Sequence, residues 1–140
     1  MQRIVVAANA EADQPWVADA AAQLAEETGA QVAVVSVDDL ETEKLAPLPR
    51  AHYRERAERA ATQTAERLES RGVSASRAVR SGRTLDEIIA FADEQDADLI
   101  VVGSSTRGRL ATALLGSVPL GLVRQSRRPV LVVTEPGGGS

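Results

Sequence analysis

The residues best equipped for chemistry lie between Gly103 and Ser117. The apolar run Leu99-Ile100-Val101-Val102 opens into Gly103-Ser104-Ser105-Thr106-Arg107-Gly108-Arg109, and the segment closes on Leu114-Leu115-Gly116-Ser117. A buried strand that feeds a glycine- and hydroxyl-rich loop and then a helix start can turn backbone N–H groups, two arginines and a helix N-terminus toward one point. Phosphate or another anion is the ligand such a loop suits.

Other chemistries are excluded by what the chain lacks. It has no cysteine, so no disulfide, thiolate zinc site or cysteine nucleophile is available. His52 is the only histidine, which removes multi-histidine metal sites and most serine–histidine triads. His52 has no nucleophile at a meaningful spacing and reads as a surface or partly packed side chain. No Gly-x-x-x-x-Gly-Lys-[Ser/Thr], His-Glu-x-x-His or Gly-x-Ser-x-Gly pattern occurs. Asp38-Asp39 reads as part of a solvated loop rather than as a metal site.

The net charge of −4 and the shortage of aromatics, with only Trp16, Tyr53 and Phe91, argue against a nucleic-acid partner. No apolar run approaches the roughly 18 residues of a membrane span. A soluble, cytoplasmic protein is the expectation.

The elements that must position the loop follow from periodicity. Arg3 to Ala8 and Gln31 to Val37 are continuous apolar runs, as in a parallel sheet covered on both faces. Asp98 to Val102 and Pro129 to Thr134 read as a fourth and fifth strand, and the more polar Val73 to Arg80 as a third, nearer an edge. Helices are predicted over Asp13 to Thr28, closed by Gly29, and over Ala51 to Arg71, stopped by Gly72. Two more are predicted over Leu85 to Gln95 and from about Ser117 to Gln125. Thr84, with Glu87 three residues on, predicts a capping box at the third of these helices. Asp38 to Arg50 reads as a loop. The expectation is one domain over residues 1–135 and a loose tail over 136–140, in a chain of 140 residues of which 44% are hydrophobic.

Strands alternating with helices define an α/β fold with a parallel sheet. On Gly103 and Gly116-Ser117, which stand where that family places the ends of its G-x2-G-x9-G-[S/T] loop, the chain resembles the universal stress protein family over nearly its whole length. The resemblance implies a single-domain, doubly wound, Rossmann-like sheet of five parallel strands in the order 3-2-1-4-5. A crevice then opens beyond the carboxyl ends of strands 1 and 4, where the glycine loop falls.

It implies as well an adenine nucleotide, ATP or AMP, with phosphates held by Gly103, Ser104, Gly116 and Ser117, and with Ala8 and Val118 beside them. Arg107 and Arg109 would add charge-assisted contacts, and Val37 would flank the adenine. The chain departs from the pattern twice. The middle glycine position holds Thr106, with Gly108 two residues later, and the aspartate after the first strand is replaced by Asn9. Ser81-Gly82-Arg83-Thr84 resembles the family's Gly-x-Pro turn and reads as structural.

Three readings stand at this point. One is a regulatory module binding ATP or AMP, with Mg2+ accompanying ATP and any hydrolysis slow and incidental. Another is a protein of the same fold acting through protein contacts and dimerisation, and in either case a homodimer through the apolar edge strand 129–134 is expected. A related nucleotide hydrolase would need a Ser-Gly-Gly-x-Asp-Ser loop, which the sequence lacks.

Overall fold

Four valine-rich or alanine-rich runs and one more polar strand assemble into a sheet with helices on both faces. The computed structural model describes residues 1–41, 48–104 and 116–136. The strands are β1 (Arg3–Ala8), β2 (Gln31–Asp39), β3 (Ala75–Gly82), β4 (Leu99–Gly103) and β5 (Val130–Val133). The helices are α1 (Pro15–Thr28), α2 (Arg50–Ser70), α3 (Thr84–Glu94) and α4 (Ser117–Gln125). The five strands lie in the order β3-β2-β1-β4-β5, all paired in parallel.

Side chains alternate across the strands, and each set finds its own helices. Ile4, Val6, Val32, Val34 and Val101 pack with α1 and α2 through Val17, Ala21, Ala61 and Leu68. Val5, Val35, Val37, Ile100 and Val102 pack on the other face with Ile88 and Phe91 of α3 and Leu122 of α4. Each such side chain contributes about 1.5–3 kcal/mol of burial. The two sandwiched faces explain why β1, β2 and β4 are apolar throughout rather than alternating.

Several boundaries differ from the sequence reading. β2 continues past Val37 because β3 pairs with it to the end, Asp38 opposite Ser81 and Asp39 opposite Gly82. Asp38 is therefore no loop residue: it is 1% exposed. The predicted loop over 38–50 otherwise falls partly on 42–47, outside the described residues, as do positions 137–140 of the tail. α1 begins at Pro15 rather than Asp13, with proline in the first turn where no N–H is missed.

The capping box is not formed. Thr84 is the first residue of α3, Arg83 stands at the cap position, and no side chain of the predicted box closes it. Instead the Thr84 N–H and hydroxyl both donate to a carboxylate oxygen of Asp39, at the end of β2. The acceptor for this helix start comes from 45 residues upstream, a distance local sequence rules do not span.

Candidate functional site

β1 and β4 are neighbours whose following helices leave toward opposite faces, and a cleft of about 280 Å3 opens at their carboxyl ends. Its floor is apolar, formed by Ala7, Val35, Val37, Ile88 and Val102. Ala8, Asn9, Gly103, Gly116, Ser117 and Val118 line it, so seven of the ten positions singled out in the sequence, Val37 included, surround one space. Ser104 does not line it. That residue is 2% exposed. Its N–H donates to the Val133 carbonyl at 2.9 Å and its carbonyl accepts from the Gln14 amide at 3.3 Å. Arg107 and Gly108, with Thr106 and Arg109, lie outside the described residues.

The two glycines of the site serve different ends. Gly116 has φ +98°, a conformation that L side chains rarely adopt, and it stands at the cap position of α4. Among the described residues no side chain caps this helix, and no carboxylate occupies its first turn. The Leu120 N–H returns to the Gly116 carbonyl at 3.2 Å, Pro119 has no N–H, and the amides of Ser117 and Val118 have no partner among the described residues. Those two amides and the positive end of the helix dipole are what the site offers an anion.

Gly103 has no such strain. A Cβ there would collide with the Gln14 side chain and come within 2.6 Å of Val17 Cγ2. The missing side chain lets the start of α1 rest on the end of β4.

Asn9, too, is engaged. Its Oδ1 accepts the Glu11 N–H at 2.8 Å, closing a local turn after β1.

Sequence reading missed the acidic and aromatic side of the cleft. Asp38, Asp39 and Glu11 line it, together with Tyr53 and Arg56 from α2. Asp38 Oδ2 lies 3.4 Å from the Ser81 hydroxyl and 3.8 Å from Arg50, while Oδ1 is buried with no hydrogen-bond partner among the described residues. The Arg56 guanidinium sits 5.9 Å from the Tyr53 ring centroid. The only signal in the sequence was helical spacing: Tyr53 and Arg56 are three apart on α2, so one turn presents both to the same end of the sheet.

The cleft is therefore polarised. Carboxylates stand on the β2 and β1 side, and open amides on the α4 side. An apolar floor with donors at one end and acceptors at the other fits a flat, hydrogen-bonding group joined to an anion. No cluster of three or more metal-ligating side chains occurs among the described residues. His52 is exposed, its ring edge-on to Tyr53 at 5.6 Å, and it does not line the cleft.

A doubly wound parallel sheet of five strands in the order β3-β2-β1-β4-β5, with its cleft at the switch point, defines the Rossmann-like class of α/β proteins. Within that class the chain belongs to the universal stress protein family, whose family model matches residues 1–134. A universal stress protein of Methanocaldococcus jannaschii is 38% identical over 65 residues, which is 46% of this chain and 38% of that protein. The chain thus matches well under half the length of that relative. Among solved structures, a universal stress protein in complex with cAMP is 26% identical, covers 96% of this chain and 97% of its own, and has a TM-score of 0.72. The universal stress protein of Archaeoglobus fulgidus in complex with dAMP is 25% identical over 94% and 97%, with a TM-score of 0.71. Among the described residues no helix is long and apolar enough to cross a membrane.

Proposed function

We propose that the protein is a nucleotide-binding regulatory module that holds an adenine nucleotide, AMP or ATP, in the cleft beyond β1 and β4. The observation that carries the reading is the strained Gly116 and the two open amides of Ser117 and Val118 on the same cleft as Val37 and Asn9. The base would lie on the apolar floor toward Val37 and Tyr53, and the phosphates at the start of α4, joined by Arg107 and Gly108. Solved relatives in complex with cAMP and dAMP support the ligand class. Mg2+ would arrive with the phosphates of ATP rather than on protein side chains. In this reading the module acts by binding, in the cytoplasm, and any hydrolysis of ATP is slow and incidental.

Calorimetry with millimolar AMP and ATP, the latter with Mg2+, tests this. Saturable heat with an affinity of tens of micromolar is expected, and its absence together with an unshifted Tm sinks the proposal.

The same fold supports a second activity, pairing of two copies through β5. This strand ends the sheet, and Leu131 on it is 38% exposed. Leu120 and Val123 on the neighbouring α4 are 39% and 54% exposed. An apolar edge with unpaired backbone groups is a template for a second strand, and Pro129 precedes the ladder rather than interrupting it. Light scattering at tens of micromolar should give twice the chain mass, and Val132→Lys should halve it; a monomeric wild type, or a dimer indifferent to that change, rejects the pairing.

A further inference from the structure

Beside the cleft, on the other flank of the β1–α1 turn, a second groove of about 230 Å3 runs between that turn and α2. The two spaces share Ala8, Asn9 and Gln14 as a common wall, and Arg56 stands at their junction. Arg56, Arg59, Gln63 and Thr64 form the α2 side of the groove, a stripe at helical spacing. The arginines of α2 divide sharply. Arg50, Arg54 and Arg67 each have a carboxylate within 4 Å, at Asp38, Glu58 and Asp19. Arg56 makes only its ring contact with Tyr53, and Arg59 makes no hydrogen bond or ion pair among the described residues. Glu55 stands one turn before Arg59, in the orientation that favours pairing, and is not paired with it. Two unmatched guanidiniums a turn apart over one groove are suited to a phosphate, which they can grip through parallel N–H bonds.

We infer that this groove takes a second phosphate of the ligand, carried on the ribose, so that the preferred class is an adenine nucleoside bisphosphate. This rests on the nucleotide reading of the main cleft. With the base toward Val37 and the 5′-phosphate at Gly116 to Val118, the ribose lies against Ala8 and Asn9, the wall that both spaces share. Its 2′ and 3′ hydroxyls then face Arg56 and, beyond it, Arg59. Glu11 and Asp13 stand on the opposite rim. Both are exposed, so water and salt screen their repulsion without abolishing it. The net gain over a nucleotide lacking the second phosphate is about tenfold, one charge-assisted contact after that opposition.

Titration calorimetry on the full chain compares AMP with adenosine 3′,5′-bisphosphate and its 2′,5′ isomer, for wild type and Arg59→Ala. Arg59 lines the groove and not the main cleft, and it is exposed, so the variant keeps its fold and its affinity for AMP. At least one bisphosphate should bind about tenfold tighter than AMP to wild type, and most of that advantage should vanish in Arg59→Ala. AMP binding with no preference for either bisphosphate, or a preference untouched by Arg59→Ala, overturns the inference and leaves the nucleotide reading standing. Silence with all three ligands overturns the inference, and silence with ATP and Mg2+ as well overturns both.

Discussion

The two ends of the sheet are built to different standards of completion. At the amino end of β1 and β4, the Asp98 carboxylate accepts the N–H groups of Gln2 and Arg3 at 2.6 and 3.0 Å. Arg3 reaches the Gln95 carbonyl, and Arg128 joins Asp93, Asp96 and the Ala97 carbonyl. Donors and acceptors there meet within the chain. At the carboxyl end, Asp38 Oδ1 and the Ser36 hydroxyl are buried without partners among the described residues. The amides that open α4 and the guanidinium of Arg59 add to the unmatched set. An unmet buried polar group costs about 1–3 kcal/mol. The difference teaches that one end satisfies its own donors and acceptors and so stabilises the fold, while the other leaves several of them unmet among the described residues.

The strongest way to break this comparison is Gly116→Val. At φ +98° a β-branched residue is strained by roughly 1–2 kcal/mol, which a domain of this size survives, and its side chain intrudes beside the Ser117 and Val118 amides. Loss of two charge-assisted bonds predicts about a hundredfold weaker nucleotide binding with a retained unfolding transition. Undiminished affinity in that folded variant would move the phosphates elsewhere.

Gly103→Ala should act in the opposite way. Its Cβ meets Gln14 and Val17, so overpacking should cost about 1–3 kcal/mol and lower Tm by several degrees. Affinity per folded molecule should change little. A variant that keeps its Tm and loses its ligand would assign Gly103 to the working end after all.

Acid sharpens the comparison at the other end. The Gln2 and Arg3 amides hold the Asp98 carboxyl below its ordinary value. A lowered native pKa means stability that is full above the unfolded carboxylate value, about 3.9, and lost as pH falls through the native one. Asp98→Asn should therefore lower Tm at neutral pH, with the gap closing below pH 4; a gap that persists in acid contradicts the ionic account. Asp19, lowered chiefly by its hydrogen bonds from Arg67, should add in the same direction.

The smallest effect belongs to Arg54→Ala. Its pair with Glu58 spans 3.4 Å between two exposed side chains, and such pairs contribute about 0.5 kcal/mol or less. A Tm change near the limit of detection is expected.

Much of the fold was legible because β1, β2 and β4 are continuous apolar runs, which only a sheet covered on both faces accommodates. Boundaries were less so. The two aspartates after Val37 suggest a strand end, yet pairing with β3 carries β2 through them. In the same way the cap of α3 is read from Thr84 and Glu87 locally, whereas the acceptor is Asp39, placed there by the sheet. Of the cleft, the glycine spacing marks the α4 side, which Gly116 and Ser117 line. The Tyr53, Arg56 and Asp38 side stayed hidden, since ordinary helix and strand residues become a wall only once α2 is laid over β2.

The collision that a Cβ at Gly103 would cause also bears on how relatives are to be compared. A sequence in which α1 rests on β4 as it does here must keep that position bare whether or not it ever meets a nucleotide. Glycine at 103 is thus a requirement of the way α1 is seated on β4, not of a ligand. The residue at 116 is held to glycine on different grounds, by its own backbone at φ +98° rather than by a neighbour pressed against it.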